Sequence, residues 1–309
     1  MWIKILLISL LAIVGLLYGL ACFLFHTFFY RPKRSKKVPD YYVDTSHYKV
    51  SRAGMSIMDQ LPVEDVYLDS RDGLKLHAYL YPDEGNSRKK FVLGIHGYRS
   101  YARPEFGPYI AFYRSLGYSM LLPDDRAHGP SEGTYIGFGV LDRLDCVDWA
   151  NWLVEQYGED VDIILHGVSM GGATVLAASG EEALPVQVRG TVADCGYTSI
   201  GDVFSYQFRQ VVHMPKFPLL PLIERISVHR TGIDFHKHSP IEQVKKARVP
   251  ILFVQGGKDL MVPAFMAQEL YDACTSRKEL LLVDEAAHAE SIALAPERYH
   301  EALHRFLGI

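Results

Sequence analysis

The sequence is poor in the features that mark nucleic-acid-binding, disulfide-rich and repeat proteins. Its net charge is -4, so it lacks the surplus of basic residues that neutralises phosphates, and we expect no nucleic-acid partner. Four cysteines among 309 residues have neither the close pairing of a metal site nor the density of a disulfide scaffold. No internal repeat or low-complexity tract is present. With 49% hydrophobic and 22% charged residues, the composition indicates a folded enzyme-sized protein.

Charge is also absent from the N-terminus, where the 26 residues from Ile5 to Tyr30 contain no Asp, Glu, Lys or Arg. As a helix this run would extend about 39 Å, enough to cross a hydrocarbon core about 30 Å thick. A cleaved signal peptide would have a shorter apolar run followed by small residues, which do not follow here. A lipoprotein-type site before Cys22 is a weaker alternative, because the residues after it stay apolar. We therefore predict that residues 1–30 form a single-pass membrane anchor.

Basic residues lie mainly on one side of this run. Lys4 and the terminal amine precede it, and five residues follow it: Arg31, Lys33, Arg34, Lys36 and Lys37. Because basic residues favour the cytoplasmic side of a span, we expect the rest of the chain in the cytoplasm, with residues 31–58 as a basic and polar connector.

Residues 59–309 alternate between strand-like and helix-like segments, which predicts an α/β domain. Residues 63–69 and 74–80 alternate apolar with polar positions around Arg71-Asp72-Gly73, as in an antiparallel hairpin. Short apolar runs without alternation predict strands buried on both faces. These runs are 91–95, 119–122, 162–165, 190–193, 251–254 and 280–283. The expected helices are 105–116, 141–156, 170–179, 264–273 and 296–306.

The interval at about 195–249 departs from this alternation, because its 55 residues are too many for one crossover helix. It contains several prolines and aromatic residues and is too apolar for disorder. We interpret it as a helical cap inserted over a site, with a plain surface excursion as the alternative.

The main chemical motif is Gly167-Val168-Ser169-Met170-Gly171, which stands between an expected strand and a helix of small residues. The glycines allow a sharp turn that exposes the serine hydroxyl above the sheet. The helix that begins there directs its positive end to the same place, where an oxyanion could form. We predict Ser169 as a nucleophile; the alternative is a Gly-Ser turn without chemistry.

A serine hydroxyl needs a base, and the base needs a carboxylate to orient it. His288 follows the last expected strand, which places it at the same sheet edge as Ser169. Asp259 follows the strand 251–254 at that edge and is our choice of carboxylate. Two rivals remain, since Asp194 also ends a strand there and Asp284 is close to His288 in sequence.

An acyl-transfer site also needs amide donors for the oxyanion. His96-Gly97-Tyr98 follows the strand 91–95, so the backbone N–H groups of Tyr98 and Met170 are the expected pair. A simple turn after the strand is the alternative. The charged stretch 124–131 is interpreted as structural, with its carboxylates and Arg126 bracing loops beneath the site.

Taken together these motifs resemble the α/β-hydrolase superfamily. Their order along the chain is similar to that in membrane-anchored bacterial members grouped with serine aminopeptidase-like hydrolases. In this sequence the motifs are, in order, His96-Gly97-Tyr98, 125–131, Gly167 to Gly171, Asp259 and His288. The similarity runs from about Val63 to the C-terminus and includes 136–139 and 194–199. One departure is Ala127, where the usual stretch has glycine. The resemblance implies an α/β-hydrolase fold with a mostly parallel eight-stranded sheet, helices on both faces, and the same triad and amide donors.

The expected activity is acyl transfer to water through an acyl-enzyme, without a metal or organic cofactor. An apolar cap beside a membrane favours a small-molecule acyl ester, so a carboxylesterase is the first expectation. A serine peptidase acting on short peptides is the runner-up, and it would need a cap carboxylate such as Glu224, Glu242, Asp202 or Asp234. Halide and epoxide chemistry would require aspartate in place of Ser169. A silent hydrolase-fold binding protein would be expected to lack a triad member.

Overall fold

The computed structural model describes residues 1–31, 46–83, 85, 89–211 and 213–308. One sheet of eight strands, ordered β1-β2-β4-β3-β5-β6-β7-β8, lies at the centre of this part of the chain. The strands are β1 Glu64–Asp69, β2 Lys75–Tyr81, β3 Lys90–Ile95, β4 Tyr118–Asp124, β5 Asp162–Val168, β6 Val188–Asp194, β7 Ile251–Gly256 and β8 Lys278–Val283. The helices are α1 Trp2–Phe29, α2 Ser46–Met58, α3 Ala102–Ser115, α4 Asp142–Tyr157, α5 Met170–Ala178, α6 Ile200–Gln210, α7 Leu219–Thr231, α8 Pro240–Val244, α9 Ala264–Ala273, α10 Ser291–Leu294 and α11 Pro296–Leu307.

The sheet is mostly parallel, as predicted. β1 and β2 form the expected antiparallel hairpin, and β2 is also antiparallel to β4. The remaining pairs, from β4 to β8, are parallel. In the register, Gly167 lies opposite Ile95 and Val168 lies opposite Asp194. The carboxyl ends of β3, β5 and β6 therefore meet at one edge, where the candidate site residues were expected.

Helices cover both faces of the sheet, because successive side chains of a buried strand point in opposite directions. On β3, Leu93 belongs to the core beneath α4 and α9, whereas Val92 belongs to the core beneath α3 and α11. Trp149 is fully buried on the first face and Phe106 on the second. The apolar runs without alternation in the sequence reflect this double coverage.

The interval at about 195–249 holds three helices, α6, α7 and α8. Helix α6 begins after Ser199, whose Oγ accepts a hydrogen bond from the Asp202 N–H at 3.0 Å. Helix α7 ends at Gly232 with φ of 74°, a left-handed conformation that glycine adopts without strain. Phe204 and Ile223 bury the inner sides of the two helices in one apolar cluster.

Helix α1 is 28 residues long and, by length and composition, could cross a membrane. Its first twenty residues are almost entirely exposed, whereas Ala21, Phe25 and Phe29 are fully buried. Their spacing of four residues places them on one face of the helix. The Phe29 ring stacks on Phe235, with centroids 5.8 Å apart, and lies 4.6 Å from the Phe138 ring. The last two turns of α1 are therefore part of the same apolar cluster as α6 and α7.

Within the interval predicted as a connector, 31–58, residues Ser46–Met58 form helix α2. Helix α2 crosses α3 at very close range: a Cβ atom on Gly54 would lie 1.9 Å from the Gly107 carbonyl oxygen. Such packing through small residues gives no strong apolar pattern in the sequence, which is why the helix was missed. The basic residues Lys33, Arg34, Lys36 and Lys37 lie outside the described residues.

We predict that Phe29→Ala destabilises the cap. The substitution removes a fully buried ring from between Phe138 and Phe235, and comparable losses cost about 3 kcal/mol of unfolding free energy. Thermal unfolding of the full chain in detergent micelles should show a clear fall in melting temperature. Leu11→Ala, on an exposed part of the same helix, is the matched control and should leave it unchanged. Equal melting temperatures for the two variants would contradict the packing described above.

Candidate active site

The turn at Ser169 connects β5 directly to α5. Ser169 has φ of 57° and ψ of -115°, a conformation that residues with side chains rarely adopt. A Cβ atom on Gly167 would lie 2.0 Å from the Gly171 carbonyl oxygen, and one on Gly171 would lie 1.9 Å from that of Ile95. Only glycine fits at these two positions. The turn therefore holds the serine side chain out at the carboxyl edge of the sheet.

The structure brings together the three side chains chosen from the sequence. His288 Nε2 lies 2.8 Å from Ser169 Oγ, and His288 Nδ1 lies 2.7 Å from Asp259 Oδ2. With the Nδ1–H donated to the carboxylate, Nε2 is left as the acceptor for the serine hydroxyl. The imidazole can therefore remove a proton from Ser169 without changing its position.

Asp259 is held firmly in a loop between β7 and α9. Its Oδ1 accepts hydrogen bonds from the backbone N–H groups of Met261 and Val262, each at 2.8 Å. Its Oδ2 accepts a further bond from Gln255 Nε2 at 3.1 Å. Four donors, including His288, thus surround a buried carboxylate, which offsets the cost of removing its charge from water.

Two opposing effects set the pKa of the His288 imidazole. Burial lowers the pKa, because a charged ring loses its solvation. The hydrogen bond to Asp259 and the charge of that carboxylate raise it, and together they outweigh burial, so the pKa lies above the ordinary value of 6.5. Asp259 thus stabilises the imidazolium that proton transfer from Ser169 would create.

Neither rival carboxylate takes the place of Asp259. Asp194 is buried behind the site, where its Oδ2 accepts hydrogen bonds from the hydroxyls of Tyr299 at 3.0 Å and Tyr109 at 3.3 Å. Burial raises the pKa of Asp194 to about 7, despite those two bonds. Asp284 is exposed. Among these three carboxylates, only Asp259 accepts a hydrogen bond from His288 Nδ1.

The loop that follows β3 lies directly against the serine. A Cβ atom on Gly97 would lie 3.3 Å from the Ser169 Cβ, so the backbone approaches Ser169 closely. In the described part of the chain, neither the Tyr98 N–H nor the Met170 N–H has a hydrogen-bond acceptor. Met170 is the first residue of α5, whose N-terminal amides lack intrahelical partners. Both expected donors are therefore free to bind an oxygen.

The charged stretch 124–131 makes structural contacts. Arg126 forms two hydrogen bonds of 2.7 Å to Asp145 and a third of 2.9 Å to Asp72. His128 Nε2 accepts a hydrogen bond from the Arg99 N–H at 3.1 Å, and burial lowers the pKa of His128 to about 3, so the ring stays neutral. Ala127, the departure from glycine, has a φ of 62°, a conformation that costs alanine about 1 kcal/mol. The backbone here keeps the geometry that glycine would favour.

Sequence reasoning missed a contact between α2 and the loop of His288. His47 Nδ1 lies 2.8 Å from the Ala289 carbonyl oxygen, and its Nε2 lies 3.8 Å from Glu105 Oε1. Glu105 is buried, with Oε2 accepting from the Gly97 N–H at 3.4 Å. His47 and Glu105 thus connect the loop that carries His288 to the loop that carries Tyr98. Because α2 was interpreted as a connector, nothing in the sequence pointed to His47.

One group of residues has the composition of a metal site. Cys195, Asp259 and His288 offer ligand atoms within 4.8 Å of one another. Burial raises the pKa of the Cys195 thiol well above its ordinary value, which disfavours the thiolate that a metal would need. Asp259 and His288 are already bonded to each other. We therefore assign these two side chains to the serine site and not to a metal.

We predict that Asp259→Asn lowers the pKa of His288. The wild-type pKa should lie above 6.5, and removing the carboxylate charge leaves burial as the main influence, which acts downwards. NMR titration of histidine-labelled full-length protein, with His288→Gln to assign the signal, measures both values. Asp284→Asn removes an exposed carboxylate from the loop that carries His288 and should leave the pKa of His288 unchanged. An equal shift in both variants would exclude Asp259 as the partner.

No family model matches the sequence. Among curated proteins, the chain is 26% identical to the uncharacterised Bacillus subtilis protein YqkD over 199 residues, which is 64% of this chain and 65% of YqkD, slightly under two thirds of that protein. It is 24% identical over 237 residues to an uncharacterised membrane protein of Saccharomyces cerevisiae, covering 75% of each chain.

Solved structures resemble the whole fold. The Pyrococcus furiosus esterase Pf2001 superposes with a TM-score of 0.67 at 22% identity, covering 91% of this chain and 97% of the esterase. The Pyrococcus horikoshii acylaminoacyl peptidase superposes with a TM-score of 0.58 at 16% identity, covering 82% of this chain and 42% of the peptidase. With its mostly parallel eight-stranded sheet and these neighbours, the chain has the α/β-hydrolase fold, preceded by an apolar helix that fits a membrane anchor.

Proposed function

We propose that the protein is a serine hydrolase that works through an acyl-enzyme, with Ser169 as nucleophile, His288 as base and Asp259 as the orienting carboxylate. The observation that carries this proposal is the continuous pair of hydrogen bonds from Ser169 Oγ through the imidazole to Asp259. The free amides of Tyr98 and Met170 beside the serine are the proposed oxyanion donors. We propose residues 59–309 as the catalytic domain, with α6 to α8 as its cap.

In the proposed reaction, His288 Nε2 takes the Ser169 proton as Oγ forms a bond to the substrate carbonyl carbon. The carbonyl electrons move to oxygen, which accepts hydrogen bonds from the two amides. The tetrahedral intermediate then expels the alcohol, which receives the proton from His288. Water repeats the sequence on the acyl-enzyme: it gives a proton to His288, attacks the carbonyl carbon, and releases the acid and the Ser169 hydroxyl.

We propose a carboxylic ester as the substrate, because the surroundings of the site are apolar. A cavity of about 980 Å³ opens between α6 and α9. One part of its wall is apolar, formed by Tyr206, Met214, Phe217, Phe265 and Met266, and charged side chains such as Asp202, Arg209, Lys216 and Glu269 line the rest. It lies beside the loop of Asp259 and its lining includes none of the three site side chains. Exposed Leu260 and Met261 extend the apolar surface to the residue next to Asp259. The apolar part of this surface suits an acyl chain.

Peptide hydrolysis is the second candidate, supported by the fold neighbour that is an acylaminoacyl peptidase. The cap carboxylates that could hold a free amino terminus already have partners. Asp202 accepts from the hydroxyls of Thr198 and Ser199 at 2.9 and 2.6 Å, and Glu242 pairs with Lys245 at 2.7 Å. Asp234 accepts from two backbone N–H groups of its own loop, and Glu224 lies 4.0 Å from His236. These contacts favour the ester over the peptide.

We further propose that α1 anchors the protein in a membrane and that the catalytic domain lies in the cytoplasm. The support is the apolar length of α1 and the basic residues that follow it in the sequence. The similar yeast protein is described as a membrane protein. An acyl ester within or beside the bilayer is then the nearest substrate.

We predict that Ser169→Ala abolishes ester hydrolysis and labelling by a fluorophosphonate probe. Loss of a triad nucleophile lowers turnover by roughly four to six orders of magnitude while the fold persists. The assay uses p-nitrophenyl esters of graded chain length beside aminoacyl anilides, with full-length protein in detergent. Ser56→Ala, on the exposed side of α2, is the matched control and should keep both activity and labelling.

The same panel decides between the candidate functions. Faster turnover of anilides than of esters would favour the peptidase, and a wild-type protein that the probe does not label would favour a silent binding protein. Full activity in Ser169→Ala would contradict the proposed nucleophile.

The cytoplasmic location predicts protection from external protease. Addition of protease to intact cells or protoplasts should leave the catalytic domain whole, because the bilayer separates the two. Digestion after lysis is the control that shows the domain to be cleavable. Prompt digestion from outside intact cells would reverse the proposed orientation.

A further inference from the structure

The end of the anchor helix is bonded to the loop that carries the proposed oxyanion donor. The Tyr98 hydroxyl donates to the Phe28 carbonyl oxygen at 2.9 Å, and the Arg99 guanidinium donates to the Thr27 carbonyl oxygen. Both carbonyls lie in the last turn of α1, where backbone oxygens have no intrahelical partner. The last turn also carries the negative end of the helix dipole, which favours a guanidinium there. Two consecutive residues of the loop thus complete the end of α1.

Packing holds the Tyr98 ring in this position. Its centroid lies 5.1 Å from that of Phe138, which in turn lies 4.6 Å from the ring of Phe29 on α1. The Arg99 guanidinium stacks over the same tyrosine ring, at 5.1 Å from the centroid. Burial raises the pKa of Tyr98 to about 12, with Arg99 opposing the rise, so the hydroxyl keeps its proton and remains a donor. The Tyr98 side chain is fixed on three sides, by Phe138, by Arg99 and by the Phe28 carbonyl oxygen of the anchor helix.

The backbone that leads into Tyr98 lies against the reaction site. Gly97 approaches the Ser169 Cβ, and the adjoining Tyr98 N–H is free. Arg99 has a φ of 56°, an unfavourable conformation for arginine, and its N–H donates to His128 Nε2. A backbone held in such a conformation needs contacts that fix it from outside. The bonds to α1 and to His128 are those contacts.

We infer that the last turn of the anchor helix positions the oxyanion site, with Tyr98 and Arg99 as positioning residues that act through the carbonyls of Phe28 and Thr27. The inference rests on the proposed function, because it assigns a consequence to the Tyr98 N–H as an oxyanion donor. The anchor therefore contributes to the rate of the chemical step as well as to location. A small change in where α1 sits changes the direction of one amide, and stabilisation of the transition state depends on that direction.

Tyr98→Phe tests the inference, because it removes one hydroxyl and leaves the ring. We expect kcat for a p-nitrophenyl ester to fall about tenfold, a fraction of the loss seen when an oxyanion donor is removed outright, with KM changed by less than about twofold. The inhibition constant of an aryl trifluoromethyl ketone, which forms an anionic adduct with a serine nucleophile, should rise by about the same factor. Tyr18→Phe on the exposed part of α1 is the matched control and should leave all three values unchanged.

Rates are expressed per active site, titrated with a fluorophosphonate, so that partial unfolding does not imitate the effect. Arg99→Ala should act in the same direction as Tyr98→Phe, and Arg99→Lys should restore part of the activity by supplying one donor to Thr27. A purely structural role would lower the titrated fraction and leave the inhibition constant unchanged.

Two outcomes separate this inference from the proposed function. If Tyr98→Phe matches Tyr18→Phe in kcat and in the inhibition constant while Ser169 still reacts with the probe, the role of the anchor is disproved and the hydrolase remains. If Ser169→Ala keeps full activity, the proposed function fails first and the inference fails with it.

Discussion

The strained turn at Ser169, with its positive φ, is the constraint on which the rest of the site depends. Ser169 is the single residue between β5 and α5, and Gly167 and Gly171 permit the turn because no side chain fits between it and the neighbouring backbone. The turn fixes the serine oxygen at the sheet edge and starts α5 beside it, so the Ser169 hydroxyl and the Met170 amide are placed by one feature. The Ser169 N–H also donates to the Asp194 carbonyl at 2.8 Å, which ties the turn to the next strand. His288 and Asp259 then need only reach the same edge.

The sequence predicted which side chains lie near one another, because the residue types that the chemistry needs follow strands whose ends share one sheet edge. Strand ends in a parallel sheet share an edge, so residues after β3, β5, β7 and β8 meet even though they are far apart in the chain. Contacts between segments without a strong apolar pattern could not be predicted from the sequence. Helix α2 packs through Gly54, and His47 therefore went unnoticed. The docking of α1 was hidden for the opposite reason, because apolar residues that face lipid and those that face protein have the same composition.

A second set of polar groups lies behind the site and supports it without entering the chemistry. Tyr113 and Tyr299 contact the two ring nitrogens of His166 at 3.0 and 3.3 Å, and Tyr299 also donates to Asp194. Burial lowers the pKa of His166 to about 3, so its ring is neutral and can donate from Nε2 and accept at Nδ1. His166 stands on β5, three residues before Ser169. A hydrogen-bonded network of this kind favours one arrangement of the strands over close alternatives.

The exposed part of α1, from Trp2 to Leu20, extends about 28 Å, close to the thickness of a hydrocarbon core of about 30 Å. If that part lies in a bilayer, no flexible segment separates it from the end of the helix that is buried in the protein. Helices α6 to α8 are then held at the level of the headgroups. The enzyme then cannot tumble away from the surface, and every copy meets the lipid with the same side. A substrate that lies in the membrane would then be supplied according to its number of molecules per unit area of membrane, which dilution of the surrounding water leaves unchanged.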